Sequence, residues 1–128
     1  MDTRNDRRSH PYRVLIVDDE AEERELLAEL LRGPNRSVEV HATPQGALEF
    51  LQDNPVDLAF LDHRMPDMTG VELAEKIRAL YPRTHIVICT GYLVEAGCPE
   101  VRNNAEHVLH KPLNFGEVMD LADAYSRQ

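Results

Sequence analysis

Short apolar runs alternate with amphipathic segments along most of the chain, which is the pattern of strands alternating with helices. Five runs rich in Val, Ile, Leu and Phe have the length of strands. The third and fourth are almost entirely apolar, as strands buried on both faces are. The predicted strands are Arg13 to Val17, Val38 to Ala42, Asp57 to Leu61, His85 to Cys89 and His107 to His110. The pattern predicts an α/β domain with helices on both faces of a parallel sheet.

Start and stop signals frame most of the helices between these strands. They include a Gly-Pro stop, a Pro at the first helical position and two Ser/Thr/Asn-x-x-Glu starts. Leu26 of the first helix and Phe115 of the last are assigned to inner, core-facing sides. The signals are Gly33-Pro34 after a helix from about Glu20 to Arg32, Thr43-Pro44 before the second, Thr69-x-x-Glu72 before the third and Asn114-x-x-Glu117 before the last.

The fourth helix is the weak element of this pattern. Gly97 and Pro99 both oppose a continuous helix between the fourth and fifth strands. We therefore expect a long loop after the fourth strand and only a short helix near Pro99 to Asn103.

Composition narrows the class of protein. A chain of 128 residues suffices for one domain with a hydrophobic core, and residues 1–12 are polar and aperiodic, as in a flexible leader. The formal net charge of -9 disfavours nucleic acid as a partner. No run approaches the ~20 apolar residues of a membrane span, so we expect no membrane association. Cys89 and Cys98 have no CxxC spacing, which favours a reduced, cytoplasmic setting.

Polar residues with related chemistry follow the predicted strands. Asp18 and Asp19 follow the first, Asp62 the third, Thr90 the fourth and Lys111 the fifth. In an open parallel sheet these ends lie side by side, where such folds bind their ligands. Converging carboxylates repel one another unless a proton or cation is present, and hard oxygen ligands suit Mg²⁺. An Asp beside Mg²⁺, a Lys and a Thr is equipped to attack phosphorus as a nucleophile.

Four motifs in this order resemble the bacterial response regulator receiver domain. They are VLIVDDE from Val14 to Glu20, LDHRMPDMTG from Leu61 to Gly70, Cys89-Thr90-Gly91 and His110-Lys111-Pro112. The resemblance covers residues 13 to about 126, so we assign residues 13–128 to a receiver domain. It implies a single flavodoxin-like (βα)5 fold with strand order 2-1-3-4-5.

The resemblance also implies a role for each site residue. Asp62 would accept a phosphoryl group, and Thr90 and Lys111 would contact that group. Asp19, Asp62 and the backbone carbonyl of Arg64 would bind Mg²⁺ directly, and Asp18 would act largely through water. The Lys111-Pro112 peptide would be cis.

The same resemblance implies the partners. A histidine kinase or a histidine phosphotransfer protein would donate the phosphoryl group in two-component phosphorelay signalling, and an unknown downstream protein would be the target. Such a domain is not an enzyme in the usual sense, although it assists its own phosphotransfer and dephosphorylation.

Other interpretations fit less well. A haloacid-dehalogenase-like phosphatase would carry a second Asp two residues after the first, where Arg64 stands. A flavodoxin would need a phosphate-binding loop where Asp18-Asp19-Glu20 would repel phosphate, although these acids could also simply cap a helix. A receiver that acts by protein contact without phosphorylation stays open, because Val108 replaces the aromatic that receivers usually carry there. We hypothesise that phosphorylation shifts residues 91–104 instead, with Tyr92 as reporter.

Overall fold

The protein is a sandwich of one parallel sheet between two layers of helices. A computed structural model describes residues 11–92 and 97–126. The five-stranded sheet has the order β2-β1-β3-β4-β5, which confirms the flavodoxin-like prediction. The elements are β1 Tyr12–Val17, α1 Ala21–Leu31, β2 Arg36–His41, α2 Pro44–Asp53, β3 Leu58–Asp62, α3 Gly70–Leu80, β4 His85–Thr90, α4 Pro99–Asn103, β5 His107–His110 and α5 Phe115–Ser126.

Alternation along the central strands divides the core between the two faces of the sheet. Leu15 and Val17 of β1 pack on one face with α2, α3 and α4, whereas Val14 and Ile16 pack on the other face with α1 and α5. Side chains of β3 and β4 divide in the same way, which explains why these strands read as continuous apolar runs. Burial on both faces fixes the sheet, so the polar residues at its edge stand on a rigid base.

The helix starts agree with their sequence signals. Thr69 and Glu72 form a complete capping box at the start of α3, with hydrogen bonds of 2.9 and 3.2 Å. The Thr43 hydroxyl accepts from the backbone of Gly46 before α2, and the Asn114 side chain accepts from the backbone of Glu117 before α5. The fourth helix is the predicted single short turn, Pro99–Asn103.

Strand bounds and two surface residues differ from the predictions. β1 begins at Tyr12, which the sequence placed in the leader, and β2 spans Arg36–His41 rather than Val38 to Ala42. Pairing in register from Tyr12 with Arg36 sets both starts. Residues 1–10 of the leader lie outside the described residues. Leu26 and Phe115, expected in the core, are 50% and 44% exposed.

Candidate functional site

Three carboxylates meet at the carboxyl edge of the sheet. Asp18 and Asp19 directly follow β1, and Asp62 is the last residue of β3, the neighbouring strand. Oxygen atoms of the three side chains lie within 4.8 Å of one another. Asp18 and Asp62 are buried, each 7% exposed, whereas Asp19 faces solvent. The three acids that the sequence placed at neighbouring strand ends therefore do lie in one cluster.

Lys111 reaches this cluster from the far edge of the sheet. Its ammonium Nζ lies 3.2 Å from Asp62 Oδ1 and 3.5 Å from Asp18 Oδ2. The backbone N–H of Lys111 donates to the carbonyl of Thr90 at 2.7 Å, which anchors the start of the turn after β5. The Lys111-Pro112 peptide is cis, as expected. The lysine thereby places a positive charge directly beside two of the three carboxylates.

The electrostatics follow from burial and from this crowding. Burial raises the pKa of Asp62 to about 7, because the charge of Lys111 only partly offsets it and that of Asp18 raises it further. Burial also raises the pKa of Asp18. For Lys111, burial lowers the pKa, but the hydrogen bond with Glu23 and the charges of Asp18 and Asp62 outweigh burial and leave it raised. The site therefore favours a bound cation.

Asp18 has contacts on both the helix side and the lysine side of the acidic motif, although no side chain caps α1 at its N-cap residue, Glu20. Its Oδ1 accepts from the backbone N–H of Glu20 at 2.9 Å, a local bond at the start of α1. Its other carboxylate oxygen, Oδ2, is the one that faces the Lys111 ammonium. The main-chain carbonyl of Asp18 accepts from Arg24 at 2.8 Å, which fixes the turn between β1 and α1. The residue positions the helix start while presenting its second oxygen to the site.

The loop after Asp62 returns tightly to the sheet. The backbone N–H of His63 donates to Cys89, and that of Gly70 donates to the carbonyl of His63, each at 2.9 Å. A Cβ on Gly70 would lie 2.9 Å from both the Asp62 carbonyl oxygen and the His63 Cα. Because the contacted atoms belong to the backbone, a side chain at this position would have to displace the main chain, so the position favours glycine. The sequence signal for this preference was only the glycine that ends the LDHRMPDMTG motif.

Thr90, Gly91 and Tyr92 border the site on the β4 side. Thr90 is buried at the end of β4, and its hydroxyl accepts from the backbone N–H of Tyr92 at 3.2 Å. A Cβ on Gly91 would meet nothing within 4 Å, so this position is open. The guanidinium of Arg64 lies over the Tyr92 ring, 4.1 Å from its centroid, so its side chain spans from the β3 loop to the β4 loop.

Glu23 is the site residue that sequence reasoning missed. It lies in the first turn of α1, and its Oε2 accepts from Lys111 Nζ at 2.8 Å. The only local signal for a role in the site is that Glu23 lies in the first turn of the helix that follows Asp18 and Asp19. The two residues are 88 positions apart, and nothing in the pattern between them links them.

Known proteins share both the sequence and the fold. Residues 14–123 match the family model described as response regulator receiver domain. The chain belongs to this family. The transcriptional regulatory protein ZraR of Escherichia coli K12 is 34% identical to the receiver domain over 103 residues, 80% of this chain and 23% of ZraR. The response regulator protein PilR of Pseudomonas aeruginosa is 31% identical over 85% of this chain and 25% of PilR.

Solved structures agree with this assignment. The response regulator protein TrrA of Thermotoga maritima, in complex with Mg²⁺-BeF, superposes with a TM-score of 0.80 at 29% identity, over 88% of this receiver domain and 97% of TrrA. The BeF3-activated DrrB receiver domain has a TM-score of 0.83 at 18% identity, over 92% of this chain and 99% of that one, which shows the shared fold.

The chain matches only one part of these longer relatives. The receiver domain spans about a quarter of the length of ZraR and PilR. Among the residues that the structure describes, no helix has the length and apolar character needed to cross a membrane. As a receiver domain of a response regulator, the chain is a signalling domain of two-component systems.

Proposed function

We propose that Asp62 accepts a phosphoryl group from the phosphohistidine of a histidine kinase or of a histidine phosphotransfer protein. Receiver domains of response regulators interact with histidine kinases and with downstream effectors. The observation that carries the proposal is the convergence on Asp62 of one lysine and two further carboxylates at the carboxyl edge of the sheet. That arrangement serves a reaction in which negative charge builds up at this residue.

The proposed step is a displacement at phosphorus. A carboxylate oxygen of Asp62 forms the new P–O bond while the P–N bond to the donor imidazole breaks. The imidazole leaves with the electron pair, and protonation makes it a neutral side chain again. Lys111 and Thr90 contact the oxygens of the transferred group. A partly buried ammonium and a buried hydroxyl suit this role, because they stabilise developing charge with little rearrangement.

The same residues suit a magnesium ion. Asp19, Asp62 and the backbone carbonyl of Arg64 are the proposed direct ligands, and Asp18 acts through water. Three carboxylates within 4.8 Å supply the hard oxygen donors that Mg²⁺ prefers. The ion, when bound, neutralises charge on the transferred phosphoryl group. Since two of the acids are buried with raised pKa values, a cation also relieves their mutual repulsion.

Labelling with acetyl phosphate tests the proposal. Wild-type protein should form one acyl phosphate per chain in Mg²⁺ and none in EDTA, as seen by intact-mass spectrometry. Asp62→Ala should abolish the product. The matched control is Asp67→Ala, because Asp67 is an exposed acid of the same loop and its loss should leave labelling unchanged.

Two further measurements make the test decisive. Transfer from a phosphorylated histidine kinase should show the same dependence on Asp62 as acetyl phosphate. Lys111→Ala should slow labelling and leave Mg²⁺ binding in place. Equal amounts of the same acyl phosphate in Asp62→Ala and wild type would refute the assignment of the phosphoacceptor.

A further inference from the structure

Glu23 holds the ammonium of Lys111 more closely than either aspartate does. Lys111 Nζ lies 2.8 Å from Glu23 Oε2, against 3.2 Å from Asp62 and 3.5 Å from Asp18. The Glu23 side chain is 39% exposed, whereas the Asp62 side chain is only 7% exposed. Lys111 therefore has one partner on the solvent side and two partners inside the site.

The position of Glu23 is electrostatically costly without the lysine. Carboxylate oxygens of Asp18, Glu20 and Glu23 lie within 4.8 Å of one another. Like charges at that distance repel, and the ammonium is the cation among the described residues that contacts both Asp18 and Glu23. Glu23 and Lys111 thus depend on each other for their placement.

We propose that Glu23 is a positioning residue that holds Lys111 between helix α1 and the site and competes with the phosphoryl group for the lysine ammonium. The inference rests on the proposed phosphoacceptor role of Asp62. An ammonium has three N–H donors on one small charge. A phosphoryl oxygen that approaches Asp62 must draw this charge inward, away from a carboxylate that already binds it.

Removal of the Glu23 charge then has two opposite consequences. Lys111 pairs more closely with Asp62, and the site loses a negative charge, so Mg²⁺ binds more weakly. An anion placed on Asp62 meets a more available lysine and one repulsive charge fewer, so it binds more tightly. A role of Glu23 in helix stability alone would weaken both kinds of binding together.

The test uses Glu23→Gln, which keeps the shape of the side chain and removes its charge. Mg²⁺ affinity is measured by titration, and beryllofluoride affinity is measured at saturating Mg²⁺. We expect Mg²⁺ to bind about threefold more weakly and beryllofluoride about threefold more tightly, the size of one partly exposed ion pair. Glu22→Gln is the matched control, because Glu22 is the exposed neighbour of Glu23 on α1 and carries the same charge. This variant should change neither binding constant appreciably. Glu23→Asp, which retains the charge, should return both constants toward the wild-type values.

A second readout needs neither metal nor phosphate. The ¹⁵N resonance of the Lys111 ammonium in metal-free protein should shift in Glu23→Gln and stay in place in Glu22→Gln. An unshifted resonance, or affinities for Mg²⁺ and beryllofluoride that move in the same direction, would overturn the inference. Wild-type protein that binds no beryllofluoride, or an Asp62→Ala variant that binds it as tightly as wild type, would instead refute the proposed function, and the inference would fall with it.

Discussion

Burial of the Asp62 carboxyl makes the stability of the metal-free protein depend on pH. Its pKa rises from 3.8 to about 7 on folding, so between these values the folded state binds more protons than the unfolded state. Stability must then fall as pH rises through this window and level off above it. We expect wild type in EDTA to lose on the order of 3 kcal/mol of unfolding free energy between about pH 4 and pH 7, measured by urea denaturation.

The matched variants separate Asp62 from the other acids. Asp62→Asn should flatten the pH dependence and raise the melting temperature in EDTA at pH 7, because a neutral amide replaces a buried charge. Asp67→Asn should keep the wild-type slope. Mg²⁺ should stabilise wild type more than Asp62→Asn or Asp19→Asn. Identical pH profiles for wild type and Asp62→Asn would contradict the electrostatic description of the site.

Gly70 is the second residue on which the site geometry depends. A methyl group at this position would lie 2.9 Å from backbone atoms of Asp62 and His63, so Gly70→Ala must displace the loop that follows Asp62. We expect a loss of about 1–3 kcal/mol in unfolding free energy together with slower labelling by acetyl phosphate. Gly33→Ala is the control, because an added Cβ there meets nothing within 4 Å. Equal losses in both variants would show that glycine flexibility, and not the contact, is responsible.

At the scale of elements, Glu106 ties α3 to the far end of the sheet. Its Oε1 accepts from Arg78 of α3 at 2.8 Å and from the backbone N–H of Ile86 in β4 at 3.0 Å. Glu106→Ala leaves that backbone donor without its side-chain acceptor, so we expect a loss of about 1–3 kcal/mol by urea denaturation. Glu100→Ala, an exposed acid on the neighbouring α4, should cost far less. A loss of unfolding free energy in Glu100→Ala without one in Glu106→Ala would disprove the stabilising role of the Glu106 contacts.

The sequence predicts elements where the signal is local. The capping box at Thr69 and the Pro at the start of α2 each act within a few residues, and the structure confirms both, as it confirms a short α4, which begins at Pro99. Strand starts depend instead on pairing with a distant segment, as Tyr12 with Arg36. For the same reason the acids, Thr90 and Lys111 were predictable from strand ends, but the contact between Glu23 and Lys111 was not.

At the scale of the whole molecule, the surroundings of β5 offer a route from the site to the surface. Val108 of β5 is half-buried and packs in the same core cluster as Val101, Cys98 and Ala105 around α4. A β-branched side chain has few rotamers and no ring to move inward, so we expect a shift near Thr90 to pass to the segment beyond it. This is the region that the sequence hypothesis assigned to the switch, of which residues 93–96 lie outside the described residues.

Amide NMR with beryllofluoride checks this route. We expect chemical-shift changes in Tyr92 and residues 97–104 that exceed those of α2, which packs on the same face of the sheet. Asp62→Ala under the same conditions is the control. Changes confined to the neighbours of Asp62 would mean that the domain relays phosphate with little conformational output.

The ion pairs of Lys111 with Glu23, Asp18 and Asp62 make us expect the stability of the domain to depend on ionic strength. One cation there faces those three acids and Asp19, in a chain with a formal net charge of -9. Dissolved salt weakens repulsion between exposed charges more than between buried ones, and Asp19 and Glu23 are the partly open members of the group. We therefore expect sodium chloride to stabilise the metal-free domain weakly by screening this repulsion, and the additional stabilisation by magnesium to shrink as the salt concentration of the surroundings rises.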